Sequence, residues 1–262
     1  MALLGLAAVF PDLAEAADLS EGGKTPSYEA PSYLDKLHEW KIVVGAGAIV
    51  KPVFEGSDEF EVLPFPLFSA TFGERLHVDT RGILVDVYET SGVKFGVRGG
   101  YDLGRSEDDS DDLRGLGDID AGAVIGGVVT YGLGPVKFYG ELNKTIGGSD
   151  GLTATMGADV FYAYQRFLFS AGASATWADD NHMQSFFGVN AIQSANSGLR
   201  EFEANAGFKR FDLTASVTYM ATEKWFVRGQ AGVGFLTGDA ADSPIVKDEV
   251  QPSALLGIGY RF

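Results

Sequence analysis

Acid–base or nucleophilic catalysis near neutral pH needs a histidine or equivalent base paired with Ser or Asp. The chain offers three histidines and no cysteine. His38 lies in a stretch without periodicity, and His77 shares an extended stretch with Asp79. His182 follows Asp179-Asp180 and forms the one plausible acid–base cluster; its plainer reading is a solvated turn. Without cysteine, disulfides, thiol catalysis and cysteine–metal sites are excluded. Acidic loops are the second candidate chemistry. Five of the six residues from Glu107 to Asp112 are acidic: Glu107, Asp108, Asp109, Asp111 and Asp112. Asp239, Asp242, Asp248 and Glu249 share another segment with Ser243-Pro244. Such carboxylates can hold divalent cations or basic ligands. The plainer reading is solubility and repulsion between loops, in a chain of net charge −16. That charge argues against a nucleic-acid partner, which wants a basic face. Gly45-Ala-Gly47 lacks the Lys-Ser/Thr ending and following helix of a phosphate loop, and no cofactor is expected.

The elements that must position these residues are extended. No run reaches the roughly 18 apolar residues of a spanning helix. From Trp40 onward the period is two. Val93, Phe95, Val97, Gly99, Tyr101 and Leu103 alternate with Lys94, Gly96, Arg98, Gly100, Asp102 and Gly104. The same pattern recurs in segments of about ten residues, ending with Ser253–Phe262. One face of each segment is apolar, and the other carries charge at mid-strand. Burying the charged face in a dry core is costly, so the apolar faces are expected to meet lipid. Lys94, Arg98, Asp102, Lys137, Glu141, Asp159, Arg166 and Arg228 are then candidate lumenal charges, able to pair into a network or line a pore. Tyr260 and Phe262 belong to the strand expected to close the sheet.

The fold class that follows is all-β: an antiparallel transmembrane β-barrel with short periplasmic turns and longer extracellular loops. Thirteen extended segments can be read, and a barrel with both ends in the periplasm needs an even number. A parity slip at Arg81-Gly82, read as a turn, gives the alternative of 14. A weak segment at Met183–Asn190 that fails to pair gives 12 strands, the preferred count. Counted back from the C-terminus, Gly238–Val250 and Arg105–Gly117 come out extracellular and Ala191–Arg200 periplasmic. Residues 1–16 carry an apolar run and Ala14-Glu15-Ala16, as in a truncated signal peptide lacking its basic start. Residues 17–39 read as a flexible periplasmic lead-in, and 40–262 as the outer-membrane β-barrel.

The chain resembles the MltA-interacting protein (MipA/OmpV) family of Gram-negative outer-membrane proteins. The residues carrying the resemblance are Gly45-Ala-Gly-Ala48 with Pro52 and Gly56-Ser-Asp58, and Leu113-Arg-Gly-Leu-Gly-Asp-Ile-Asp120. Phe186-Phe-Gly-Val189, Ala195-Asn-Ser-Gly-Leu199 with Ala206-Gly207, Gly238–Val246 and Tyr260-Arg-Phe262 complete the set. The resemblance implies a scaffold in outer-membrane lipid that binds a murein lytic transglycosylase and, through it, a murein synthase. It also implies roles as adhesin or in uptake, carries over no catalytic residue, and leaves a narrow pore as the alternative and a hydrolase as the least favoured one.

Overall fold

The computed structural model of the protein describes residues 41–73 and 75–262. The expected signal peptide, the lead-in and Trp40 lie outside the described residues. Twelve antiparallel strands close into one barrel, with β1 (Lys41–Pro52) hydrogen-bonded to β12 (Val250–Arg261). Between them run β2 (Phe60–Phe72), β3 (Leu76–Asp79), β4 (Gly82–Thr90), β5 (Val93–Asp102), β6 (Gly122–Leu133) and β7 (Val136–Ile146). β8 (Leu152–Tyr164), β9 (Phe167–Ala178), β10 (Gly207–Met220) and β11 (Trp225–Leu236) complete the wall. Closure leaves no free terminal strand, which is how a sheet survives in hydrocarbon.

Alternation decides which side chains face out. On β12, Val250, Leu256 and Ile258 are exposed while Gln251, Leu255, Gly257 and Gly259 are buried. Leu256 is 64% exposed, and large apolar side chains are exposed on every strand but β3, as lipid-facing residues are. Aromatic pairs gather at the end bearing the short turns. Phe167 and Tyr219 lie 5.0 Å apart, and Trp225 and Tyr260 lie 5.1 Å apart, edge to face. Tyr260 also stands edge-on to Phe262 at 4.8 Å, beside the β1–β12 closure. Among the described residues, no helix is long and apolar enough to cross a membrane.

Two expectations are corrected. Met183–Asn190 is not extended: Asp180–Phe187 forms a helix, α1, and Ala191–Ser197 a second, α2. Asp179 accepts from His182 N as N-cap, and His182, Met183, Phe186 and Phe187 are buried at helical, not two-residue, spacing. Losing that strand also moves Ala191–Arg200. It lies between β9 and β10, at the same end as Arg105–Gly117 and Gly238–Val250, not at the turn end. The slip at Arg81-Gly82 is a turn, closing a short β3–β4 hairpin.

Candidate functional site: the capped mouth

Five long connections converge at the loop end. Phe54 of β1–β2, Leu113 and Leu116 of β5–β6, Val189 of β9–β10 and Ile245 of β11–β12 pack into one buried cluster. Met183, Phe186 and Phe187 of α1 form a second with Ala178, Ala204, Leu236 and Ala240. The β7–β8 connection joins where Ser185 Oγ donates to Ser149 O at 3.5 Å. The loops thus build a cap with its own apolar core over the mouth. Direct ties hold it: Arg105 Nη1 donates to Phe186 O at 2.9 Å, Ser243 Oγ to Phe187 O at 2.6 Å, and Arg200 Nη2 to Asp242 O at 2.8 Å. Burial lowers Arg105 to about 10, with the Asp109 carboxylate opposing, so it remains a cation inside the cap.

Beneath the cap lies a buried charge cluster. Its geometry starts from a β-bulge. The β9–β10 register shifts between Phe208 and Arg210, so Lys209 and Arg210 both turn inward, although alternation would send one of them to the lipid. Lys209 Nζ donates to Glu55 Oε2 at 2.7 Å and to His182 Nε2 at 3.1 Å. Arg210 Nη1 lies 3.6 Å from Glu55 Oε1, and its Nε donates to Asp212 Oδ1 at 2.7 Å. Gly234 leaves the space for the Arg210 guanidinium, which a Cβ there would meet at 2.3 Å. Burial alone raises the Glu55 carboxyl, but the Lys209 and Arg210 cations outweigh it and hold it at about 2. Burial, reinforced by the Lys209 ammonium and opposed by Glu55, drops His182 to about 3. An ammonium only donates, so the neutral His182 ring accepts at Nε2 and carries its proton on Nδ1. This His182 is a cap strut: its ring packs against that of Phe186, centroids 4.6 Å apart and tilted by 32°, and Asp179 serves the backbone.

The acidic loop residues either hold their own loop together or tie it to a neighbouring one. Glu107 Oε2 accepts from Gly115 N and Gly117 N, and Asp109 Oδ2 from Ser106 N. Asp112 pairs with Lys247 at 3.1 Å, Asp111 with Arg114 at 2.8 Å, and Asp239 accepts from Asn205 N and Nδ2. Those bonds hold the Asp239 carboxyl below its ordinary value. Asp108 is exposed on a short 3-10 turn, and Asp242 lends its carbonyl to Arg200. Among the described residues no three His, Asp or Glu converge on a possible metal position. An open groove of about 780 Å³ crosses the outer cap, lined in part by Asp180, Glu201, Glu203 and Asn205.

The proposed lumenal charges divide. Lys94, Arg98 and Asp102 on β5 face inward; Arg98 approaches Glu141 to 3.9 Å, while Asp102 accepts from Gly104 N. Lys137 stands opposite Asp159 in the β7–β8 register. Arg228 reaches Thr218 at 3.4 Å and Gln230 at 3.1 Å. Arg166 is not lumenal. It sits in the exposed turn before β9 and donates to Ala221 O at 3.2 Å, because β9 begins only at Phe167. Glu55, Lys209, Arg210 and Asp212 were not singled out by sequence. The legible signal was Phe208 and Phe211, both exposed yet three residues apart, with two cations between them.

The family described as "MltA-interacting protein MipA" matches residues 44–262. The MltA-interacting protein of Escherichia coli (strain K12) is 29% identical over 129 residues, covering 47% of this chain and 52% of that protein. The Shigella flexneri protein of the same name matches equally. The chain thus spans about half the length of the curated relatives it matches. Among solved structures, an outer membrane channel from Pseudomonas putida F1 covers 92% of this chain and 100% of its own, at 11% identity and TM-score 0.40. The KdgM porin covers 85% and 99%, at 11% identity and TM-score 0.39. At these scores the porins' transport properties do not carry across.

Proposed function

Since the chain belongs to the MltA-interacting protein MipA family, we propose that it is an outer-membrane barrel that anchors a murein lytic transglycosylase, and through it a murein synthase, at the membrane. The capped end would face outward and the short turns the periplasm, as bacterial barrels are built. The observation that favours a scaffold over a pore is the mouth itself. Four loops share a core there and a fifth is hydrogen-bonded to it, and a wide passive channel has no use for such a seal. Docking to a periplasmic enzyme then falls to residues 17–39 and the short turns, since Ala191–Arg200 lies at the other end. With His182 neutral, buried and bonded to Lys209, it lacks the access and partner that hydrolysis needs, and a non-enzyme reading is the better one.

The test is capture of purified transglycosylase by the full-length protein in detergent, with and without residues 17–39. Capture lost on deletion, with the barrel still folded, supports docking through the lead-in. Capture retained moves docking to the turns. A full-length protein that captures nothing overturns the scaffold reading.

A further inference from the structure

The two ends of the barrel carry opposite charge. The loop end holds the acidic stretches Glu107 to Asp112 and Asp239 to Glu249, in a chain of net charge −16. The turn end is basic along one arc. Arg166 lies in the two-residue turn between β8 and β9, Lys224 closes the β10–β11 turn, and Arg261 ends β12. Lys41 opens β1, to which the chain end is tied by Phe262 N donating to Ile42 O at 3.0 Å. β9, β10, β11, β12 and β1 are successive neighbours in the wall, so these four cations follow one another along the rim. Glu223 and the Phe262 carboxylate are the anions of the same arc.

The cations are held without being neutralised. Arg166 Nη1 donates to Ala221 O at 3.2 Å and Arg261 Nη2 to Glu223 O at 3.1 Å, both backbone carbonyls. Lys224 Nζ stands 5.6 Å from the centre of the Tyr260 ring. Among the described residues none of the four takes part in a salt bridge. Lys41, Arg166 and Lys224 are exposed, and Arg261 is half-buried. Their depth is set by their neighbours. Arg166 precedes Phe167, Lys224 precedes Trp225, and Arg261 stands between Tyr260 and Phe262. One residue of strand is about 3.3 Å, so these charges sit beside the aromatic girdle, and girdle aromatics lie at headgroup level. Lys224 also leans outward: Tyr260 belongs to the same face of β12 as exposed Leu256 and Ile258.

We propose that this rim, from β9 to β1, binds the headgroups of anionic phospholipids in the leaflet at the turn end. Phosphate is the anion at that depth. An Arg fork can pair two of its oxygens at once, and the Lys ammonium attracts it as a point charge. A soluble acidic protein fits less well, because turns of two and four residues leave little surface standing clear of the bilayer. Lipid binding here needs no transglycosylase and stands apart from the scaffold reading.

Trp225, beside Lys224, is the reporter. With Trp40→Phe and Trp177→Phe it is the one tryptophan left. The full-length protein is placed in phosphatidylcholine vesicles holding a small, equal fraction of either phosphatidylglycerol or phosphatidylcholine with brominated chains. Per mole, the brominated phosphatidylglycerol should quench Trp225 about fivefold more strongly, the gain from one basic residue at an anionic lipid surface. Trp177, kept alone by Trp40→Phe and Trp225→Phe, reports from the acidic loop end and should show no preference. Arg166→Gln with Lys224→Gln should bring the Trp225 ratio close to one. Equal quenching of Trp225 by the two lipids, the same preference at Trp177, or a ratio unchanged in the double variant overturns the proposal. The unmodified protein gives a second readout free of any substitution. Released from mixed micelles into a mass spectrometer, it should retain phosphatidylglycerol over phosphatidylcholine; equal retention overturns the proposal. Soluble polyglutamate that binds the protein where no lipid preference is found would assign the rim to an acidic protein instead.

Discussion

Lys209 Nζ sits 2.7 Å from Glu55 Oε2, joining a bulged strand to a loop 154 positions away in sequence. Breaking a buried ion pair by removing one partner strands the other charge, which costs about 3–5 kcal/mol. Glu55→Gln or Lys209→Met should therefore loosen the cap by about that much. The double variant should cost less than the sum. Amide exchange in residues 179–206 reads the effect, with heat-modifiable migration as the check that the barrel remains closed.

Acid should weaken the cap in two stages. The folded His182 titrates at about 3, far below its ordinary 6.5, so between those values the unfolded chain takes up a proton that the folded one refuses. Stability attributable to His182 is full above pH 6.5 and falls as pH drops toward 3. Glu55, at about 2 instead of 4.5, adds a second loss below pH 4.5. Loop protection, taken relative to the intrinsic exchange rate at each pH, should fall from pH about 7 to about 5, and His182→Gln should flatten that slope. An unchanged slope in the variant would show that other groups carry the acid response.

Phe187 is fully buried in the cap core beneath the Lys209 side chain, 5.8 Å from its ammonium. Phe187→Ala should destabilise the cap by about 3–5 kcal/mol, through lost burial and the cavity left behind. Protease cleavage in the loops should rise, while the strands stay protected.

If the cap seals the mouth, the native protein should be close to silent in planar bilayers. Replacing residues 180–205 with a short Gly-Ser linker between β9 and β10 should raise conductance severalfold. A conducting native protein would favour the pore reading instead.

The wall was legible because alternation is local. Val93–Asp102 states its two faces within ten residues, and each outward set is apolar because each meets lipid. The cap was not legible. Its helix α1 is eight residues long, and its buried positions are read as helical only once Met183 and Phe186 have neighbours to pack on. The orientation of Ala191–Arg200 followed from the strand count, so one misread helix moved it across the membrane. His182 was noticed for its neighbours Asp179 and Asp180, yet its ring partner is Lys209, which no local pattern could supply. Arg166 shows the reverse limit: a regular alternation continued one residue past the true start of β9.

The bulge at Lys209 also bears on how the molecule is assembled. Glu55 comes from the first hairpin, His182 from the middle of the chain, and the cations from a strand between them and the end; Gly56 N further bonds Gln251, 195 positions on. None of these partners meets until nearly every strand is zipped, and a one-residue slip anywhere would turn Lys209 or Arg210 outward. The cluster therefore acts as a checksum on strand register. A correctly wound barrel can lock its lid, and a miswound one is left open to the proteases that clear failed assemblies.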